Sequence, residues 1–112
     1  MGGNKDYRAL FGRGTRDNVS FTLNSGETMT LNFKEAGTNS LTNLYFDLKA
    51  EANRVHIVVN KIATITHIGN QELQSPKTLG TANANVFFEG IEWDKITVRA
   101  DQDATSFEVY AS

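Results

Sequence analysis

An all-β fold, an antiparallel two-sheet sandwich of roughly seven or eight strands with jelly-roll or immunoglobulin-like topology, is what this sequence predicts. Three observations predict it. Apolar residues recur at alternate positions in short runs, no long segment keeps the spacing of an amphipathic helix, and polar turn sequences separate the runs at intervals of roughly ten residues.

Val19, Phe21 and Leu23 form the first inward set, and Asn24 to Gly26 makes a turn. Met29, Leu31 and Phe33 form the second, ended by the stretch EAGTNS, and Leu44, Phe46 and Leu48 form the third. Val55, Ile57 and Val59 form the fourth, whose other face carries Arg54, His56 and Val58. The fifth run, KIATITHI, is ambiguous in phase, because Ile62 and Ile68 oppose Ala63 and Ile65; burial on both faces would account for this. From Gly69 to Asn83 the alternation lapses and the only proline, Pro76, occurs, so this stretch is expected to be a long loop of functional interest. Val86 and Phe88 then face one way and Phe87 the other. The phase of Trp93 disagrees with that of Ile96 and Val98, which predicts a bulge near Asp94 and Lys95. Thr105 to Tyr110 alternate again, so the closing residues are expected to be tied into a sheet. A short helix over Lys5 to Phe11 is the one helical candidate.

With 112 residues and no cysteine, the chain is expected to make one domain without disulfides or thiolate chemistry. Two histidines and no sulfur ligands argue against structural zinc, and no cofactor is expected. No run approaches the length of a membrane span, and no export signal is visible, so a soluble chain is expected. The net charge of −2 is unevenly spread: residues 1–17 carry +2 and the remainder −4. This divides the chain into an amino-terminal arm, 1–17, and a sandwich domain, 18–112. A basic arm on an acidic body suits a protein surface better than nucleic acid, which calls for a broader basic face.

Enzymatic readings fail for want of the groups they need. His56 and His67 read as surface or edge side chains with no nucleophile paired to them. Glu89, Glu92 and Asp94 lie close in sequence beside a kink and read as a solvated rim, not as a glycosidase pair. Asp101 and Asp103 lack the glycine and the distant glutamate of a calcium loop and read as a turn, and the GRG at Gly12 to Gly14 lacks the rest of a phosphate-binding loop. The chain is therefore expected not to be an enzyme. Binding fares better. Tyr45, Phe87 and Tyr110 stand on the outward phase of their strands and Trp93 at the expected bulge, where aromatic rings can stack on sugars or on a protein partner. In the arm, Tyr7, Leu10 and Phe11 interleave with Arg8, Arg13 and Arg16, the mixture of apolar anchors and cations that a partner-binding segment requires.

The closing stretch FFEGIEWDKITVRADQDATSFEVYAS, an aromatic–Asp–Lys–Ile strand followed by a polar turn and a last strand, resembles the small all-β capsid decoration, or cement, proteins of tailed bacteriophages. That resemblance implies a virion structural protein on the capsid exterior, made in the host cytoplasm. Such a protein binds the outer surface of an assembled capsid, stabilises contacts between major capsid subunits and forms a dimer or trimer. The arm residues would clamp the major capsid protein or a neighbouring copy. A carbohydrate-binding module and a phage tail or fibre attachment module remain open as alternatives; a glycan is thus a second partner class, whereas nucleic acid and membrane are not expected.

Overall fold

The computed structural model describes residues 17–39, 41–79 and 84–112. The expected helix over Lys5 to Phe11 and the arm residues Tyr7, Arg8, Leu10, Phe11, Arg13 and Arg16 lie outside them. Nine strands are present among the described residues: β1 (Asp17–Leu23), β2 (Thr28–Asn32), β3 (Asn43–Tyr45), β4 (Ala52–Val59), β5 (Ala63–Ile68), β6 (Gln71–Thr78), β7 (Ala84–Trp93), β8 (Lys95–Ala100) and β9 (Thr105–Ala111). They form a four-stranded sheet in the order β1-β9-β4-β7 and a five-stranded sheet in the order β3-β2-β8-β5-β6.

The strand order decides between the two expected topologies. Apart from β3, each early strand pairs antiparallel with a later one: β1 with β9, β2 with β8, β4 with β7 and β5 with β6. These pairs fall alternately in the two sheets, which is a jelly roll: one long antiparallel ribbon wound into a sandwich. The added strand β3 pairs parallel with β2, a departure from the wholly antiparallel arrangement expected.

Alternation placed the core correctly. Leu31, Phe33, Phe46, Ile57, Val59, Ile65, Ile96, Val98 and Val109 are fully buried between the sheets, and the Phe33 and Phe46 rings meet at 5.0 Å. The ambiguous fifth run is explained by a bulge. Ile65 pairs with Val98 and His67 with Thr97, leaving Thr66 as an extra residue, so Ala63, Ile65 and Ile68 all share the inward phase of Val98 and Ile96. Ala63, Thr64, Ile65 and Thr66 are all buried.

Three expectations are corrected. First, the stretch expected as a loop over 69–83 contains β6, an edge strand paired with β5. An edge strand needs no apolar alternation and tolerates Pro76, because one side of its backbone has no ladder to supply. Its register with β5 slips between Lys77 and Glu72, and Leu79 then plugs the core. Second, the phase break between Trp93 and Ile96 is not a bulge at Asp94 and Lys95: at Asp94 the chain leaves the four-stranded sheet and enters the five-stranded one. The Asp94 carbonyl accepts from the Phe33 amide at 2.9 Å, and its carboxylate from the Lys95 amide at 2.9 Å, which fixes the corner. Third, the third strand is only Asn43–Tyr45; Phe46 and Leu48 instead hang from β2 through hydrogen bonds to Asn32 and Phe33.

Two glycines are tied to these turns. Gly26 has φ of +87° in the β1–β2 turn, where the Glu27 amide donates to the Asn24 carbonyl at 2.9 Å. Gly37 has no room for a side chain: a Cβ there would sit 2.8 Å from Cβ of Asn43 and against its amide group. That amide is occupied, because Asn43 Oδ1 accepts from Nδ2 of buried Asn32 at 3.0 Å. Gly37→Ala is therefore expected to displace Asn43 and destabilise the fold by about 1–3 kcal/mol, the cost of overpacking, with the Asn32 amide left to the Thr30 and Leu44 carbonyls. A urea titration of the variant checks it, and a midpoint unchanged from the parent would remove this packing from the account.

Candidate functional site

Alternation also sets which side chains face outward, but only the strand order shows which of them meet. On the outer face of the four-stranded sheet, Asn18 of β1 is opposite Tyr110 of β9, Tyr110 is opposite His56 of β4, and His56 is opposite Phe87 of β7. The three rings stand in a stack: His56 lies 4.0 Å from Phe87 with planes 12° apart, and 5.3 Å from Tyr110 with planes 18° apart. Nε2 of His56 donates to Oδ1 of Asn85 at 3.0 Å, which orients the imidazole within the stack. Aromatic pairs in such geometry contribute about 0.5–1.5 kcal/mol beyond burial, so the row is held before any partner arrives.

Phe87 ends the row, on an edge strand, and is 64% exposed. Beside it the next register carries Arg54 opposite Glu89, both exposed. A shallow groove of about 310 Å³ crosses β9, β4 and β7 here, lined by Arg54, His56, Phe87, Glu89, Tyr110 and Ser112 among others. One rim is shaped by the closing residues: the Asn53 and Arg54 amides donate to the Ser112 carbonyl at 2.8 and 3.0 Å.

Of the four candidate aromatics, three expected on outward phases and Trp93 at a bulge, the fold thus brings together Phe87 and Tyr110. Trp93 belongs to the inward phase: it is half-buried, packs on Phe88 at 5.1 Å and pairs with buried Ala52, beyond an irregularity in which β7 advances four residues, Glu89 to Trp93, against two of β4 and which includes Gly90 with φ of +69°. Tyr45 is on the far edge of the other sheet, its hydroxyl donating to the Lys34 carbonyl at 3.4 Å. His56 and Arg54 were missed as site members. The outward phase of His56 was legible, but its neighbours were not, since they come from strands about thirty and fifty residues away in the chain.

The remaining candidates serve the scaffold. Asp101 accepts from Thr64 Oγ1 at 2.6 Å and from Arg99 Nε at 2.9 Å, and Asp103 Oδ1 accepts from the Ser25 amide at 3.0 Å. These bonds tie the β8–β9 turn to β5 and to the β1–β2 turn. Glu89 and Asp94 do not converge: one faces Arg54 across the ladder and the other holds the corner into β8. Nδ1 of His67 is 2.8 Å from the Thr66 hydroxyl. Among the described residues no group of three or more His, Asp or Glu side chains is placed to hold a metal ion.

No family model matches the sequence and no curated protein does. Among solved structures, an RmlC-like cupin protein from Desulfovibrio desulfuricans is similar over 90% of this chain and 76% of that chain, with 17% identity and a TM-score of 0.48. A de novo designed double-stranded β-helix, solved by solution NMR, is similar over 84% of this chain and 95% of that one, with 14% identity and a TM-score of 0.42.

Proposed function

We propose that this chain is a non-enzymatic docking protein that binds the outer surface of an assembled phage capsid and stabilises contacts between major capsid subunits. The docking face is the outer side of the four-stranded sheet. The observation that carries the docking half is the stacked Tyr110–His56–Phe87 row, which ends in an exposed ring beside Arg54 and Glu89. Preordered aromatics next to an arginine are the composition in which interface energy concentrates, because the rings lose little entropy on burial and the guanidinium binds carboxylates in a fixed geometry. The capsid setting comes from the resemblance of the closing third to decoration proteins. In this reading residues 1–17 add a second contact through Tyr7, Arg8, Leu10, Phe11, Arg13 and Arg16.

Co-sedimentation with assembled shells tests it. The full chain is expected to bind saturably, and Arg54→Glu, which reverses a charge on an exposed position, to weaken binding by tenfold or more, the scale of a lost hot-spot arginine. Tyr110→Ser is expected to weaken it as well, and deletion of residues 2–16 to remove the arm's share while leaving the sandwich folded. Shell binding indifferent to both face variants would overturn the docking face. One observation favours a second reading: an open aromatic ring flanked by a guanidinium and a carboxylate also suits a sugar, which stacks its C–H face and hydrogen-bonds its hydroxyls. Saturable binding to a glycan panel by the chain without shells would favour it.

A further inference from the structure

The four edges of the sandwich are not equally protected. In the five-stranded sheet, β3 is three residues long and β6 is broken by a register slip and contains Pro76. In the four-stranded sheet, β1 is seven residues long and buries Val19 and Leu23, while Phe21 between them is partly buried and stacks on buried Phe107 at 4.7 Å. The opposite edge, β7, runs for ten residues as ANVFFEGIEW, with no lysine, arginine or proline. Its inward side chains Val86, Phe88, Ile91 and Trp93 are all only partly buried, whereas those of its neighbour β4, Val55, Ile57 and Val59, are at most 1% exposed. A long edge strand with apolar side chains showing on both faces is a template for another strand.

We infer that β7 is the interface of a symmetric dimer, in which β7 pairs antiparallel with β7 of a second copy about a two-fold axis at Phe87, joining the two four-stranded sheets into one. A two-fold axis at the middle of a strand generates antiparallel pairing of that strand with itself. The sequence is self-complementary in this register. Phe87 faces its own copy, so the ring row of one copy continues into that of the other. Asn85 falls opposite Glu89 of the second copy, an amide against a carboxylate, and this occurs twice by symmetry. Val86 falls opposite Phe88 on the core side, where both gain cover. The register also keeps the two Glu89 carboxylates apart, and like charges directly opposite are disfavoured in ladders. Ala84 to Gly90 is the matched segment; the positive φ at Gly90 and the register slip opposite Ala52 and Arg54 end it. The inference does not depend on what the outer face docks to, though a dimer would present that face twice and so raise avidity on a repetitive surface.

Sedimentation equilibrium of the full chain is the first arm, with variants at exposed Asn85 as the second. Asn85→Lys sets a cation opposite Glu89 of the other copy and removes the acceptor for His56 Nε2, whereas Asn85→Glu sets two carboxylates together and keeps an acceptor for His56. Their dimer dissociation constants are expected to differ roughly tenfold, with the lysine variant tighter. The third arm uses the absence of native cysteine: Phe87→Cys places the sole thiol on the axis and should give a covalent dimer on oxidation, whereas Glu92→Cys should not. A full chain that is monomeric at every concentration, as it would be if its own residues 1–16 covered β7, overturns the inference. So does a dimer insensitive to Asn85 and not cross-linked through position 87.

Discussion

Deleting residues 105–112 is expected to abolish folding, not merely to fray an end. The deleted segment is β9, which lies inside the four-stranded sheet and pairs with β1 on one side and β4 on the other. Its loss removes the burial of Phe107, Val109 and Ala111, and it strips β1 of its only ladder partner among the described residues. Burying a Phe or Val side chain contributes about 1.5–3 kcal/mol each, and two edges newly opened to water add to the loss, against a total stability of about 5–15 kcal/mol for a domain of this kind. Circular dichroism of the truncated chain should show no cooperative thermal transition. A shorter cut that removes only Ser112 should cost far less, since it releases the Asn53 and Arg54 amides from one carbonyl while leaving the ladder in place. If the 105–112 deletion still melted cooperatively, β9 would not occupy the interior of the sheet.

Phe33→Ala is expected to have the next largest effect, a loss of about 3–5 kcal/mol. Phe33 is fully buried and its ring meets fully buried Phe46, so truncation leaves a cavity with a rigid wall. The position offers little scope for collapse. The Phe33 amide is held by the Asp94 carbonyl and the Phe33 carbonyl accepts from the Leu48 amide, so the backbone on which the cavity sits is pinned at both groups. Denaturant titration measures the loss, and the Phe46→Ala and double variants complete a cycle. Residues in contact share one cavity, so the double loss should fall short of the two single losses added together. Additive losses would show that the two rings act separately.

Much of the fold was legible in the sequence, and the reason is local. In Val55, Ile57 and Val59 against Arg54, His56 and Val58, the two-residue period assigns each side chain to a face whatever the neighbouring strands are. The same holds for Met29, Leu31 and Phe33, all buried as expected. Where the local rule carried less, as in QELQSPKT, the strand was missed, because β6 at an edge is held by backbone pairing to β5 and its Gln71, Glu72 and Gln74 are exposed. The phase break between Trp93 and Ile96 was visible, but its cause was a change of sheet, which no local pattern encodes.

The candidate site divides in the same way. That Phe87 and Tyr110 point outward follows from alternation within their own strands. That they close on His56 from either side follows from β4 lying between β9 and β7, a placement set by non-local ladders. So the sequence by itself determined the class of fold, the inward and outward faces and the absence of cysteine chemistry, since these depend on residue types and on a period that is the same in every strand. Only the tertiary structure decided the jelly-roll order, the stacked row and the place of β7 at the edge among the described strands, because strand order and register are properties of pairs of segments far apart in the chain.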